Sequence, residues 1–303
     1  MNILVSGATG FLGTYVGPAL RLAGGHPVVI SRKPVPELAS GGQMSVVVHD
    51  LASAAVFDPH ISHAVDAIVH MAHPMGGSRD EQAHVAARGT SALLGYAAKH
   101  GIRSFVLLSS LSVLDLAAVP ADERVNSHTP RLKPDTRLPA YPAAKLAQEL
   151  LVEQAVASGA IDALILRPGL IYDDTVMSNA YAGLFKYKLQ IWVKHAGQIP
   201  LVSARQVARV MVQALSAPLA PGLAIQTVLD ESPWSMQQYQ QALISRGQLQ
   251  ANAWRVPWQL LDGASALAQA GAGVFGLAHR LPEAFSQPGR AARLKPHRYW
   301  PAS

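Results

Sequence analysis

The sequence predicts an α/β protein: a doubly wound parallel sheet with a smaller C-terminal lobe. Three observations carry that prediction. Short runs rich in Val, Ile and Leu alternate with helical segments through the first 172 residues. Strands that are apolar throughout suit a parallel sheet covered by helices on both faces. A glycine-rich turn follows the first of these runs and opens the first helix. The 303-residue chain is 50% hydrophobic and 15% charged. That is too apolar for a disordered chain, and the length suits one large α/β domain or two small ones.

The elements follow in order. Ile3–Ser6 reads as a strand, Gly13–Ala23 as a helix, Pro27–Ser31 as a strand and Met44–His49 as another, with three valines at its centre. Asp66–Ala72 is a strand, about Glu81–Lys99 a helix, Ser104–Ser110 a strand and Tyr141–Ser158 a helix. Ala163–Leu166 is a strand ending in Arg167-Pro168-Gly169. Right-handed crossovers between such strands make the sheet doubly wound. After Tyr172 the pattern loosens. Asp173–His195 reads as a loop with a helix, Ala204–Ser216 as an amphipathic helix and Ala224–Leu229 as a late strand. Residues 1–172, with 201–229 returning to them, form the expected dinucleotide-binding domain. Residues 173–200 and 230–303 form the expected smaller lobe, which would bind substrate.

Composition excludes several chemistries. With no cysteine, the chain has no disulfide framework, no thiolate nucleophile and no cysteine-ligated metal. Lys plus Arg number 25 against 19 for Asp plus Glu, a net charge of +6, which suits an anionic ligand. Nucleic acid is not expected, because no recognition motif or interleaved aromatic pattern accompanies the charge. The chain enters its first strand at Ile3 without a basic leader, so a cytoplasmic protein is expected. Val256–Ala278 is long enough to span a membrane, but Gln259, Asp262, Ser265, Gln269 and four glycines read it as an aqueous helix pair.

The strongest local signal is the run Val-Ser-Gly7-Ala-Thr9-Gly10-Phe11-Leu12-Gly13. In a turn of this kind, backbone amides and the helix dipole meet a pyrophosphate. Gly7 would allow the tight turn, Gly10 the approach of the phosphates and Gly13 close packing of helix on strand. The second strand ends in Ser31-Arg32-Lys33, with no acidic residue for ribose hydroxyls. Arg32 and Lys33 could clamp a 2′-phosphate and Ser31 could donate to it, which favours NADP over NAD. Otherwise they form a solvated basic turn. Asp50 and Leu51, after the third strand, could flank the adenine, and Asp50 could equally cap a helix.

Tyr141-Pro-Ala-Ala-Lys145 is the second motif. Side chains at i and i+4 share one helix face. An ammonium beside the phenol would lower its pKa from about 10 and make Tyr141 an acid/base near neutrality. Alone, this spacing is common by chance. Ser109-Ser110, however, closes the strand about thirty residues upstream, at the sheet edge where such folds place ligands.

Together these pieces resemble the extended short-chain dehydrogenase/reductase family, which includes the NAD-dependent epimerase/dehydratases and has a Rossmann-type sheet. The resemblance runs over roughly Met1–Ser216, in family order: the glycine turn, Asp50-Leu51, Ile68-Val-His-Met-Ala-His-Pro74, Ala87–Ser110, the Tyr141–Lys145 motif and Leu166-Arg-Pro-Gly-Leu-Ile-Tyr172. It implies Tyr141 as proton donor or acceptor, Lys145 on the nicotinamide ribose, and Ser110 on the substrate oxygen with Ser109 as the competing choice. It also implies Met71, Ala72 and His73 lining the cofactor, and Pro168, Gly169 and Ile171 beside the nicotinamide. A homodimer through the helices at about Glu81–Lys99 and Tyr141–Ser158 is the family's usual assembly.

The chain departs from the family at informative places. Ala86 stands where asparagine is common. Leu111–Leu116 lacks the Asp-Glu pair of sugar 4,6-dehydratases, which disfavours such a dehydratase. The expected activity is an NADP-dependent oxidoreductase acting on a carbonyl or alcohol carbon of a small molecule. The alternatives are an epimerase with tightly held NAD(P), or a non-catalytic NADP-binding sensor. No native metal is expected: His60/His63 and His70/His73 are spaced by three, without a carboxylate pair to complete a ligand set. Arg290, Arg293, Lys295 and Arg298 read as a solvated basic end or, more sharply, as an anion clamp.

Overall fold

The structure is a computed structural model. It describes residues 1–39, 44–53, 57–58, 61, 64–74, 76–120, 123–126, 128–134, 138–186, 189–249, 254–261, 263 and 296–299. His60, His63, Arg290, Arg293, Lys295 and most of Val256–Ala278 lie outside these residues.

In chain order the elements are β1 (Asn2–Ser6), α1 (Gly13–Leu22), β2 (His26–Ser31), α2 (Pro36–Ala39), β3 (Ser45–Val48) and β4 (Ala67–His70). Then come α3 (Arg79–His100), β5 (Ser104–Leu108), β6 (Arg124–Val125), α4 (Ala140–Ala157), β7 (Asp162–Pro168) and β8 (Leu170–Tyr172). The second half holds β9 (Gly183–Lys186), β10 (Leu189–Lys194), β11 (Gln198–Ile199), β12 (Leu201–Ser203), α5 (Ala204–Ala214) and β13 (Leu223–Val228). Last are β14 (Trp234–Ser235), α6 (Met236–Ser245), β15 (Trp254–Pro257) and β16 (Arg298–Tyr299).

The chain divides into two units. The first comprises Met1–Val113, Ala140–Pro168 and Ser203–Val228. Its centre is the doubly wound sheet, seven strands in the order β13-β7-β5-β4-β1-β2-β3. Every neighbouring pair is parallel. In the register, Val5 stands between Val29 and Val69. Strand order reverses at β1 and β4, so their carboxyl ends frame the crevice where such sheets hold ligands. The strands are apolar because both faces are buried: on one, Leu4, Ile68, Phe105, Leu107 and Ile165 pack against Leu93, Tyr96 and Ala97 of α3 and Val152 of α4, and the alternating Ile3, Val5, Val29, Val69 and Val106 are buried as well. Helix α3 begins on a capping box between Ser78 and Glu81 and stops at left-handed Gly101.

The second unit comprises Leu114–Pro139, Gly169–Val202 and Leu229–Ser303. It is assembled from small sheets: β15-β10-β9, β11-β14 and β16-β6. Trp192, Ile199, Leu201, Tyr239 and Leu243 form its core. The helix expected within Asp173–His195 is absent. The segment forms β9 and β10, an antiparallel pair in which Gly183 faces Trp192, and β15 adds in parallel. The run Leu-Gln-Ile-Trp-Val in β10 is β-branched and aromatic, and its fit to a half-buried pleated surface outweighs the helical pattern. Val256, expected to start a helix pair, lies in β15. Among the described residues no helix is long and apolar enough to cross a membrane.

Candidate functional site

The glycine turn sits directly after β1. Gly7 has φ of +79°, and a Cβ there would come within 2.7 Å of the Ala72 nitrogen, so only glycine lets the turn pass under the end of β4. At Gly13 a Cβ would lie 2.2 Å from the Ala8 carbonyl oxygen, which brings α1 close against the turn. Gly10 differs: a Cβ would meet only Gly7 O, at 3.4 Å. No protein contact excludes a side chain there, and the space above is left for a ligand. Thr9, Phe11 and Leu12 complete the turn. Leu12 caps α1 without a side-chain hydrogen bond, and the first turn carries no acid. The amides of Gly10, Thr14 and Tyr15 donate to the carbonyls of Gly7, Gly10 and Leu12, so what the helix end offers an anion is mainly its dipole, with no acid beside it to oppose one.

At the end of β2, Ser31 is buried and its Oγ accepts from Lys33 N at 3.3 Å, while Arg32 and Lys33 are exposed. Asp50 turns the chain after β3: its Oδ1 accepts from Ala52 N at 3.0 Å, and Leu51 packs against the core. Beyond β4, Met71 is buried and its N–H donates to Ser6 O at 3.1 Å.

Helix α4 places Tyr141 and Lys145 one turn apart on one face, with Pro142 in the first turn, where a missing N–H is tolerated. The Ser110 hydroxyl lies close enough to the Tyr141 hydroxyl to draw its pKa down. The Ser110 Oγ is itself fixed by an N–H from Ser112 at 3.1 Å. Ser109 points elsewhere: its N–H donates to Leu166 O at 2.7 Å, and its buried Oγ meets no partner among the described residues. Lys145 is buried and its Nζ donates to Leu108 O at 2.7 Å, at the end of β5. Burial draws its pKa down to about 7, and the Glu149 carboxylate pulls it back up. Tyr141 departs from expectation. Burial pushes its hydroxyl above the ordinary value, and the Ser110 hydroxyl lowers it only in part. Lys145, whose Nζ is engaged by the Leu108 carbonyl, does not offset that burial. Tyr141 as a whole residue is 42% exposed, so a ligand can reach it.

A buried polar network backs this face, and the sequence reading missed it. His70 Nδ1 lies 2.6 Å from Ser6 Oγ, and its Nε2 lies 3.0 Å from both Thr90 Oγ1 and Gln148 Nε2. Gln148 Nε2 also donates to Ala72 O at 3.2 Å. Glu149 holds Arg167 of β7 by two hydrogen bonds of 3.0 and 2.8 Å, both side chains fully buried. The signal was present. Gln148 and Glu149 follow Tyr141 by seven and eight residues and so share its helix face. Among the described residues no three His, Asp or Glu side chains cluster as a metal site.

Pro168 closes β7, opposite Val228. Gly169 and Ile171 belong to the second unit, where a Cβ at Gly169 would strike Pro200 O at 2.0 Å. Arg298 pairs in β16 with Arg124 of β6.

Comparisons with known proteins agree with this architecture. A family model described as NAD dependent epimerase/dehydratase family matches residues 3–222. No curated protein matches the chain. Among solved structures, gox2253 is similar at 18% identity, covering 97% of this chain and 88% of its own, with a TM-score of 0.70. The UDP-N-acetylglucosamine 4-epimerase from Bacillus cereus is 20% identical over 85% of this chain and 88% of its own, with a TM-score of 0.60. A short-chain dehydrogenase/reductase superfamily protein from Agrobacterium tumefaciens, with bound NAD, is 20% identical over 85% of both chains, with a TM-score of 0.62. At these identities the likeness is one of fold. The family match spans most of the chain, and the protein belongs to the NAD-dependent epimerase/dehydratase family, as an NAD(P)-dependent enzyme of the extended short-chain dehydrogenase/reductase type.

Proposed function

We propose that the protein is an NADP-dependent oxidoreductase acting on a carbonyl or alcohol carbon of a small molecule. The observation that carries this is the Ser110 hydroxyl beside that of Tyr141, with Lys145 one turn along and its Nζ held on the end of β5. Ser110 and Tyr141 hold the substrate oxygen, and Tyr141 gives or takes its proton. Lys145 faces the cofactor ribose and, with a pKa near 7, carries a charge that ligand binding adjusts. The nicotinamide supplies or receives the hydride. The turn Gly7–Gly13 holds the pyrophosphate, with Met71 and Ala72 as the facing wall. Pro168 flanks the nicotinamide, and Asp50 and Leu51 flank the adenine. Tyr141→Phe keeps the ring and removes the proton. With a ketone found by screening NADPH oxidation, kcat should fall about 10²–10⁴-fold. Unchanged turnover would refute the assignment.

The basic pair Arg32 and Lys33, with no acid beside it, supports NADP over NAD. A 2′-phosphate there makes charge-assisted hydrogen bonds of about 1.5–3 kcal/mol. Arg32→Ala should therefore weaken NADPH binding about tenfold or more and leave NADH binding nearly unchanged, read by fluorescence titration. A second reading is an epimerase that oxidises and re-reduces one carbon. It draws on the fold neighbours, several of which are UDP-sugar 4-epimerases. An epimerase retains its dinucleotide through purification and shows no net NADPH consumption, whereas the oxidoreductase exchanges it. A homodimer through α3 and α4 belongs to the same proposal and is read by light scattering.

A further inference from the structure

The backbone just past β4 is held on both sides. The Ala72 N–H donates to Ser6 Oγ at 3.3 Å, and the Ala72 carbonyl accepts from Gln148 Nε2 at 3.2 Å. Pro74 then restricts the residue before it. His73 therefore projects from a backbone with little freedom. Its ring stands edge-on to Tyr141, with centroids 4.6 Å apart and planes at 70°. Its Nδ1 is enclosed and meets no hydrogen-bond partner among the described residues. A buried polar atom left unpaired is costly and calls for an explanation. An enclosed nitrogen with no acceptor is a poor seat for a proton, so the neutral ring carries its hydrogen on Nε2. Burial and the Lys145 ammonium draw the pKa down to about 4, so the ring is neutral at neutral pH. The result is a fixed neutral donor beside the proposed reaction centre.

We infer that His73 is a substrate contact: its Nε2–H donates to a hydroxyl on the carbon next to the reacting one, which makes the substrate an α-hydroxy ketone or the matching vicinal diol. The inference rests on the proposed role of Ser110 and Tyr141. Those two side chains serve the reacting oxygen. His73, whose ring packs at 70° to that of Tyr141 with centroids 4.6 Å apart, lies outside that pair and serves a second oxygen of the same molecule. A plain ketone would leave the His73 N–H desolvated and unpaired, and sites built to bind a hydroxyl discriminate against analogues that lack it. This assigns His73 to the substrate rather than to the cofactor wall that the family resemblance implies.

The test uses ¹⁵N-histidine-labelled protein saturated with NADP⁺, probed with 2-hydroxycyclohexanone and with cyclohexanone. His73→Phe keeps a ring against Tyr141 and identifies the His73 signals by their loss. The expected spectrum shows the proton on Nε2, with Nε2–H shifting to a hydrogen-bonded position at concentrations about tenfold lower for the hydroxy ketone. In His73→Phe, the kcat/KM ratio of hydroxy ketone to plain ketone with NADPH should fall about tenfold, and NADPH affinity should stay unchanged. A proton on Nδ1, equal or absent responses to the two ketones, or an Nε2–H that NADP⁺ alone moves to the bonded position would each overturn the inference. Tyr141→Phe separates the two proposals. It abolishes turnover if the chemistry is right and leaves the His73 response in place. Retained turnover with an intact response breaks only the functional reading.

Discussion

The two units solve the same problem, burying polar chemistry inside an apolar core, in different ways. The first buries whole charged and polar side chains and pairs them with one another: Arg167 with Glu149, and His70 with Ser6, Thr90 and Gln148. The second satisfies its buried polar side chains mostly on backbone carbonyls. Gln240 Nε2 donates to Val193 O at 2.9 Å, and Tyr239 donates to Ser178 O. The contrast follows from architecture. In a parallel sheet the interior backbone groups are consumed by the ladder, so polar side chains between sheet and helix pair with one another or, like Lys145 and Gln148, reach a carbonyl only where a strand ends. Short strand pairs leave carbonyls free to accept.

The largest expected difference tests that contrast directly. Glu149→Leu leaves the Arg167 guanidinium buried without its carboxylate, and losing one partner of a buried pair costs about 3–5 kcal/mol. Gln240→Leu leaves one carbonyl less satisfied and should cost about 1–3 kcal/mol. Urea unfolding of both variants ranks them. A Glu149→Leu cost no larger than that of Gln240→Leu would break the comparison.

A further effect is one of pH. Burial holds His70 down at about 3 and His73 at about 4, against an ordinary value of 6.5. Between about pH 6.5 and 3 the unfolded chain therefore binds more protons than the folded one, and stability falls as pH falls through that window. Each histidine contributes a slope of at most about 1.4 kcal/mol per pH unit. His70→Asn, which does not titrate, should flatten the fall in melting temperature between pH 6.5 and 4. An unchanged slope would show that this network is not the acid-sensitive point.

The legibility of the sequence divided along the same line. The strands of the large sheet could be read because each is a short run of β-branched and aliphatic residues, and because the glycine turn marks the first of them. Tyr141 and Lys145 could be read because helix spacing fixes which side chains share a face. The β9–β10 pair was misread because Asp173–His195 mixes both patterns, and its partner, β15, lies some sixty residues away.

The sequence by itself determined the fold class, the glycine turn and the face of α4, since each depends on contacts within a few residues or on a repeating pattern. Tertiary structure decided the rest. It set the Ser110 hydroxyl near that of Tyr141 and buried Ser109, whose Oγ meets no partner among the described residues. It placed Lys145 on a carbonyl from another strand, so that burial, not the neighbouring phenol, sets its charge. It also stood His73 against Tyr141, 68 positions away in the chain, through hydrogen bonds that no local spacing specifies.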